Sequence, residues 1–325
     1  MTFLVTGGLG LIGHNIVQRL QARGEKTVII DTKTTYGIIP QAEIDYLMTE
    51  RLAKINNHPV YNTDIVDTDT VDHVIGKEQP KVIIHCASFP RQKVVNANPA
   101  LGADVMMRGL INLLESAKKH GVERFVYISS SMVYGDFESD VNEDAICRPI
   151  GQYGIMKYMG EKLVEDYARQ YGFESVIIRP SAVYGELDVE DRVVSKFMLA
   201  AMRGDVLRVK GANEVLDFTY VQDAALGIVQ ATISTNSANK IYNITRSSER
   251  QYTLKDAAEL AINIAGQGSL QIEDRDLAFP KRGRLNIDRA VKDFGYAPTT
   301  NVEEGFLKYH EWFQSSTYWQ KKLCM

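Results

Sequence analysis

The chain has 325 residues, 45% hydrophobic and 24% charged, with a formal net charge of −4, the balance of an ordinary globular protein with a large core. Without a basic stripe, nucleic acid is excluded as an expected partner, and no apolar run reaches the length of a membrane span. Three cysteines (Cys86, Cys147 and Cys324) lack metal-ligand spacing and cannot all pair, so no metal site is expected and a reducing cytoplasm is. A first strand beginning at Thr2 is expected to leave no room for a leader peptide.

Phe3-Leu4-Val5 reads as a buried strand ending at Thr6-Gly7-Gly8-Leu9-Gly10-Leu11-Ile12-Gly13. An amphipathic helix follows to Arg23, stopped by Gly24, and Lys26 to Ile30 is a second strand closed by Asp31. Strand, glycine turn, helix and strand together bring backbone N–H groups and a helix N-terminus up to a pyrophosphate. The spacing of Gly7, Gly10 and Gly13 is one residue longer than the usual dinucleotide fingerprint. At the end of the second strand, the Asp31 carboxylate would accept from ribose hydroxyls and repel a 2′-phosphate. That favours NAD over NADP, with Lys33 as the opposing charge.

The alternation continues with a helix over Gln41–Asn56, extended segments Val60–Asn62 and Thr63–Ile65, and a helix over Thr68–Lys77. Strand Val82–His85, one long helix from Pro99 to Lys119, strand Arg124–Ser129, helix Gln152–Tyr171 and strand Ser175–Arg179 follow. Apolar strands alternating with helices predict an α/β, doubly wound parallel sheet of Rossmann type. After Pro180 the pattern loosens into a helix at Val193–Arg203, short strands at Leu207–Val209 and Lys240–Asn243, and helices at Leu254–Ala265 and Val302–Phe313. The expected division is a dinucleotide-binding part over 1–179, with segments around 215–245 returning to it. A smaller α/β substrate lobe over 180–325 would face it across a cleft.

Tyr153 and Lys157 lie one helical turn apart on the same side of their helix. A free phenol titrates near ~10. A lysine beside the ring, and an oxidised nicotinamide near it, would bring it toward neutral pH.

Taken in order, the glycine turn, Asp31, Asp64-Ile65, His85-Cys86-Ala87-Ser88, Ser129 to Gly135, Tyr153 with Lys157, Arg179 to Gly185, Asp217 to Asp223 and Tyr242-Asn243-Ile244 resemble the extended short-chain dehydrogenase/reductases of the nucleotide-sugar epimerase/dehydratase type. The resemblance runs from Thr2 to about Phe313. It implies that Gly7, Gly10, Leu11, Ile12 and Gly13 cradle the NAD pyrophosphate and that Asp31 holds the ribose. Asp64 and Ile65 would hold the adenine, and Cys86, Ala87 and Ser88 would line the cofactor channel. Lys157 would also bind the nicotinamide ribose. Tyr153 would take a proton from a sugar hydroxyl as hydride passes to the nicotinamide, while Ser130 steadies the developing carbonyl and Ser131 touches substrate. The implied substrate is a nucleotide-diphosphate sugar.

Departures from the pattern narrow the reaction. A 4,6-dehydratase of this family carries Asp-Glu directly after the catalytic Thr, where this chain has Ser131 and Met132. A thioether transfers no proton, so dehydration is disfavoured, and Met132 equally fails the decarboxylases and 3,5-epimerases of the family. The leading expectation is an NAD-dependent epimerase acting at C4. The alternative is a dehydrogenase or reductase with net redox, and a non-catalytic NAD-binding protein is a third reading. Ala182, Leu216 and Met106 stand where relatives commonly have polar groups, the first two of them gripping the nucleotide diphosphate. Replacement grips are sought in Lys281, Arg282 and Arg284, a stretch resembling the family's phosphate-gripping segment, with Arg282 preferred and Arg91 and Arg192 as weaker candidates. Cys147 reads as an apolar filler. The family's habit of dimerising through two helices makes a homodimer the expectation, with Leu110, Leu113, Leu114 and Ala117 on one helix and Met156, Met159, Leu163 and Tyr167 on the other.

Overall fold

The computed structural model describes residues 1–34, 37, 39–55, 58–89, 91–138 and 140–323. Cys324 and Asn56, the expected end of the second helix, lie outside the described residues. The first half reads β1 (Thr2–Thr6), α1 (Leu11–Ala22), β2 (Lys26–Asp31), α2 (Gln41–Ala53), β3 (Val60–Asn62), α3 (Thr68–Glu78) and β4 (Val82–His85). It continues with α4 (Gln92–Ala97), α5 (Pro99–Ala103), α6 (Gly109–Lys119), β5 (Arg124–Ile128), α7 (Gln152–Tyr171) and β6 (Glu174–Pro180). The second half holds β7 (Val183–Tyr184), α8 (Val193–Arg203), β8 (Val206–Lys210), β9 (Val215–Leu216), β10 (Thr219–Tyr220), α9 (Val221–Ile233) and β11 (Lys240–Ile244). After these come β12 (Tyr252–Thr253), α10 (Leu254–Ala265), β13 (Ser269–Glu273), α11 (Asp288–Phe294), α12 (Val302–Ser315) and α13 (Thr317–Leu323).

Seven strands form one parallel sheet in the order β11-β6-β5-β4-β1-β2-β3. The inner strands are buried along almost their whole length, as β5 shows with no exposed residue; continuous apolar runs of this kind suit a sheet covered on both faces. One face packs on α3, α6 and α7 through Leu4, Ile83, Phe125, Leu110, Leu114 and Val164. The other packs on α1 and α9 through Val5, Ile84, Ile16, Leu20, Ile228 and Val229.

Several elements differ from the sequence expectation. The helix expected over Pro99–Lys119 is interrupted by a π turn at Asp104–Arg108 and preceded by α4. Across it, Gly109 faces Ile65, where a Cβ would stand 2.6 Å from the Ile65 side chain, and Asn112 donates to Ile65 O at 3.0 Å. Thr63 and Asp64 are irregular and Ile65–Val66 is a turn, not strand, with Asp64 accepting from Val66 N at 3.1 Å to hold it. Helix α9 was not expected: it is apolar nearly all round, being buried on both sides, and so shows no helical period. Lys240–Ile244 is an edge strand of the large sheet, paired with β6.

The smaller lobe packs α8, α10, α12 and α13 with the short strand pairs around an aromatic core of Tyr184, Phe218, Tyr220, Phe306, Tyr309 and Trp319. It also reaches back to the first half. Tyr318 of α13 stacks on Tyr46 of α2 with ring centroids 4.6 Å apart, and Tyr46 bonds Ser316 at 2.8 Å. Beside them Glu43 is fully buried, with Lys322 3.6 Å away and Glu190 N donating to it at 2.8 Å.

Candidate active site

The sheet's order reverses between β1 and β4, and at such a switch point the strand ends part to leave a crevice. There a cavity of about 1060 Å³ opens between the two lobes. It is lined by every residue singled out from the sequence as a site candidate except Lys281 and Arg284.

The glycine turn forms the floor. Gly7 lies in the left-handed region at φ +64, and a Cβ on it would stand 2.7 Å from Ala87 N. A Cβ on Gly13 would stand 2.1 Å from Gly7 O, so only glycine lets α1 sit this close to the turn. Gly10 begins α1 with no side-chain cap and no acidic residue in the first turn. The first N–H groups of α1 therefore lack a capping acceptor at the cavity, an arrangement that fits a diphosphate. Leu11 and Ile12 continue that wall.

Asp31 accepts from Leu9 N at 2.9 Å and from Lys33 N at 2.7 Å. Burial raises its carboxyl, and those two backbone donors oppose the rise. Asp64 and Ile65 close the same end, next to Val105 of the π turn. On the far side of β1, Cys86 N donates to Thr6 O at 3.0 Å and Ala87 N to Thr6 Oγ1 at 3.3 Å, which with Ser88 makes the channel wall. The Cys86 thiol is pushed up to about 12 by burial, so it remains protonated.

Ser130, Tyr153 and Lys157 meet at the ends of β5 and α7. Ser130 caps the turn Ser131–Tyr134, its Oγ accepting from Met132 N at 3.2 Å. Ser131 donates to Ser181 at 3.2 Å. Lys157 Nζ donates to Ile128 O at 2.7 Å and lies 5.9 Å from the Tyr153 ring centroid. Burial lowers this amine to about 8, opposed by Cys86 and Glu161. The phenol departs from the expectation that Lys157 brings it down. Burial raises Tyr153, and the groups lowering it are Arg192 and Ser130. The lysine is anchored on a backbone carbonyl, and desolvation of the ring outweighs the charges around it.

The frame under this cluster was not visible in the sequence. Glu161, fully buried, accepts from Ser129 Oγ at 2.5 Å and from Arg179 Nε and Nη2 at 2.9 and 2.7 Å. A carboxylate one turn beyond Lys157 thus clamps the residue before Ser130 to β6. Gly154 brings α7 against the serine turn, since a Cβ there would stand 2.7 Å from Met132 O.

Of the basic candidates, Arg282 lines the cavity with its Nε lacking an acceptor, and Glu214 is the charge acting on it. Arg284 instead pairs with Asp140, and Lys281 is exposed, its backbone N–H held by Asp136 at 2.7 Å. Arg91 lines the cavity but already pairs with Asp191 at 2.8 Å. Arg192 lies 3.8 Å from the buried Asp188. Leu216 lines the cavity, and Ala182 holds a left-handed φ of 37. Cys147 packs beside Val133, Phe137 and Leu285. Leu110, Leu113, Leu114 and Ala117 are fully buried inside the chain, so they are core and not a pairing surface. The exposed apolar side chains of α6 and α7 are Ile111, Ile155, Met159 and Tyr171.

A dinucleotide crevice at the switch point, with serine, tyrosine and lysine converging beside it, defines a nicotinamide-dependent enzyme of the short-chain dehydrogenase/reductase class. The model of the NAD dependent epimerase/dehydratase family matches residues 3–245, and the chain belongs to that family. NAD is its cofactor. A relative from Methanocaldococcus jannaschii named "Putative UDP-glucose 4-epimerase" is 31% identical, over 96% of this chain and 98% of its own. The UDP-glucose 4-epimerase of Thermotoga maritima, solved with UDP-glucose, superposes with a TM-score of 0.86 at 26% identity, covering 97% of this chain and 99% of that one. The Thermus thermophilus UDP-glucose 4-epimerase, solved with NAD, gives 0.86 at 25% identity over 98% and 100% of the two chains.

Proposed function

We propose that the chain is an NAD-dependent nucleotide-sugar epimerase that inverts C4 through a transient keto-sugar. The observation that carries this reading is the convergence of Ser130, Tyr153 and Lys157 on the cavity, with Ser131 and Met132 in the two following positions. Tyr153 takes the proton of the sugar hydroxyl, and Ser130 donates to the oxygen as it becomes a carbonyl. Lys157, fixed on Ile128 O, supplies a donor for the nicotinamide ribose. NAD, when bound here, would supply the hydride acceptor for the carbinol carbon and a positive charge near the phenol. Arg192 and Ser130 already act in that direction. Met132 offers no proton, so the ketone is not led into elimination and is reduced again on its other face.

In this reading Gly7, Gly10, Leu11, Ile12 and Gly13 hold the diphosphate of NAD, Asp31 its adenosine ribose, and Asp64 and Ile65 its adenine. Cys86, Ala87 and Ser88 line the nicotinamide channel. Residues 1–179, with 215–245, form the cofactor half, and 180–325 mainly the substrate half. Arg282 grips the substrate diphosphate, with Arg91 and Ser131 nearer the sugar. A cytoplasmic homodimer completes the reading, its contact made by the exposed side of α6 and α7.

The test is incubation with NAD and UDP-, GDP-, CDP- and dTDP-sugars. Thermal shifts identify the base, NMR follows the configuration at C4, and absorbance of reduced nicotinamide reports net redox. Inversion without lasting reduction supports the proposal. Stoichiometric reduction of NAD would make the protein a dehydrogenase instead. Tyr153→Phe is expected to lose about 10²-fold or more in turnover while still binding NAD.

A further inference from the structure

Arg51 of α2 is 3% exposed and lines the cavity. Its Nη1 donates to Leu9 O at 2.7 Å, and its Nη2 donates to Leu187 O. Leu9 is the residue before Gly10, where α1 begins. Leu187 follows β7 in the smaller lobe, packs against Ile44 and Leu47 of α2, and directly precedes Asp188, which lines the cavity. One guanidinium therefore spans from the phosphate-binding turn to the smaller lobe.

Its charge is not cancelled at close range. Among the described residues no carboxylate oxygen lies within 4.0 Å of it, and Nε has no acceptor. Asp188 and Asp31 act on it from farther away. Burial lowers it only to about 10, so it stays cationic at neutral pH. A buried cation without a partner is destabilising, yet this one is held in place by two carbonyls. A planar guanidinium with free N–H groups at the edge of a helix N-terminus is suited to a phosphate.

We propose that Arg51 is a further anion-binding residue for the diphosphate of the cofactor, reaching over the glycine turn while anchored to the smaller lobe at Leu187. The main-chain N–H groups of the turn would hold the diphosphate from one side and this side chain from the other. The same contact would make the loop that carries Asp188 and Arg192 sensitive to whether cofactor is present.

The test compares ligands with and without the diphosphate on the full chain. NAD, ADP and adenosine are titrated into the native protein, Arg51→Lys and Arg51→Met, with calorimetry for the tight ligands and NMR for adenosine. Arg51→Met is expected to weaken NAD and ADP by about tenfold or more and leave adenosine unchanged, with Arg51→Lys intermediate. If all three ligands weaken by the same factor, or none weakens, Arg51 is only a structural strut and the proposal fails. Should Arg51→Met not fold, Arg51→Lys decides alone: a reduced preference for ADP over adenosine supports the proposal, and an unchanged preference overturns it.

Discussion

Gly154→Ala tests whether the distance between α7 and the serine turn sets the reaction geometry. The added methyl would stand 2.7 Å from Met132 O and 3.3 Å from the Pro149 Cβ. A carbon and a carbonyl oxygen settle at about 3.3 Å or more, so the start of α7 must retreat by roughly 0.6 Å. Tyr153 is the preceding residue and moves with it, whereas Ser130 stays with the turn it caps. A misplacement near ~1 Å costs about 10²-fold in rate, so a loss of roughly 10- to 100-fold in kcat is expected. Overpacking of this kind also costs about 1–3 kcal/mol in stability. The assay is initial-rate inversion at saturating substrate, with NAD affinity by calorimetry and stability by chemical denaturation on the same preparations. NAD affinity should change little, because the glycine turn is untouched and Lys157, one turn further on, stays anchored to Ile128 O. Native kcat in a folded Gly154→Ala protein would refute the claim that this contact positions the tyrosine.

Gly13→Ala should abolish NAD binding in calorimetry, because its methyl would meet Gly7 O at 2.1 Å and force α1 away from the turn; retained affinity would show that the helix N-terminus is not the anchor. Arg179→Met leaves the Glu161 carboxylate buried and uncompensated, for a loss of about 3–5 kcal/mol, and replacing Glu161 by Leu as well should recover much of it. A double variant no more stable than the single one in denaturant melts contradicts that account. Glu43 is raised to about 7 by burial, with Glu190 adding to the rise and its backbone N–H and Lys322 opposing it. The folded protein thus holds a proton the unfolded chain releases near ~4.5, so stability falls by up to about 3 kcal/mol as pH rises from 4.5 to 7. Glu43→Gln should flatten that decline, and an unaltered slope in pH-dependent melts would rule the residue out as its source.

The parallel sheet was legible because its inner strands are apolar throughout and its turns carry glycine where backbone must approach backbone, as at Gly7 and Gly13. The residues lining the cavity were legible for the same reason: they sit at strand ends, whose order follows the chain. What was not legible depends on contacts between distant segments. Helix α9 is covered on both sides and so loses the polar stripe that marks a surface helix. Lys157 and Tyr153 share a helix face as their spacing predicts, but whether the amine bonds the phenol or Ile128 O depends on where β5 ends. Of three neighbouring cations, only Arg282 turns inward, and nothing in their spacing distinguishes it from Lys281 and Arg284. Arg51 carried no sequence signal, since its partners are carbonyls 42 and 136 positions away.

The stacking of Tyr46 on Tyr318 also orders events during synthesis. Ile44 and Leu47, buried on the inner side of α2, gain part of their cover from segments near residue 187 and from Trp312. A nascent chain with its first six strands already paired would still leave this helix without part of its lid until Trp312 and Tyr318 have been added. Contacts so far apart in sequence form late, so the wall of the cavity carried by α2 would acquire its final cover only after the sheet behind it.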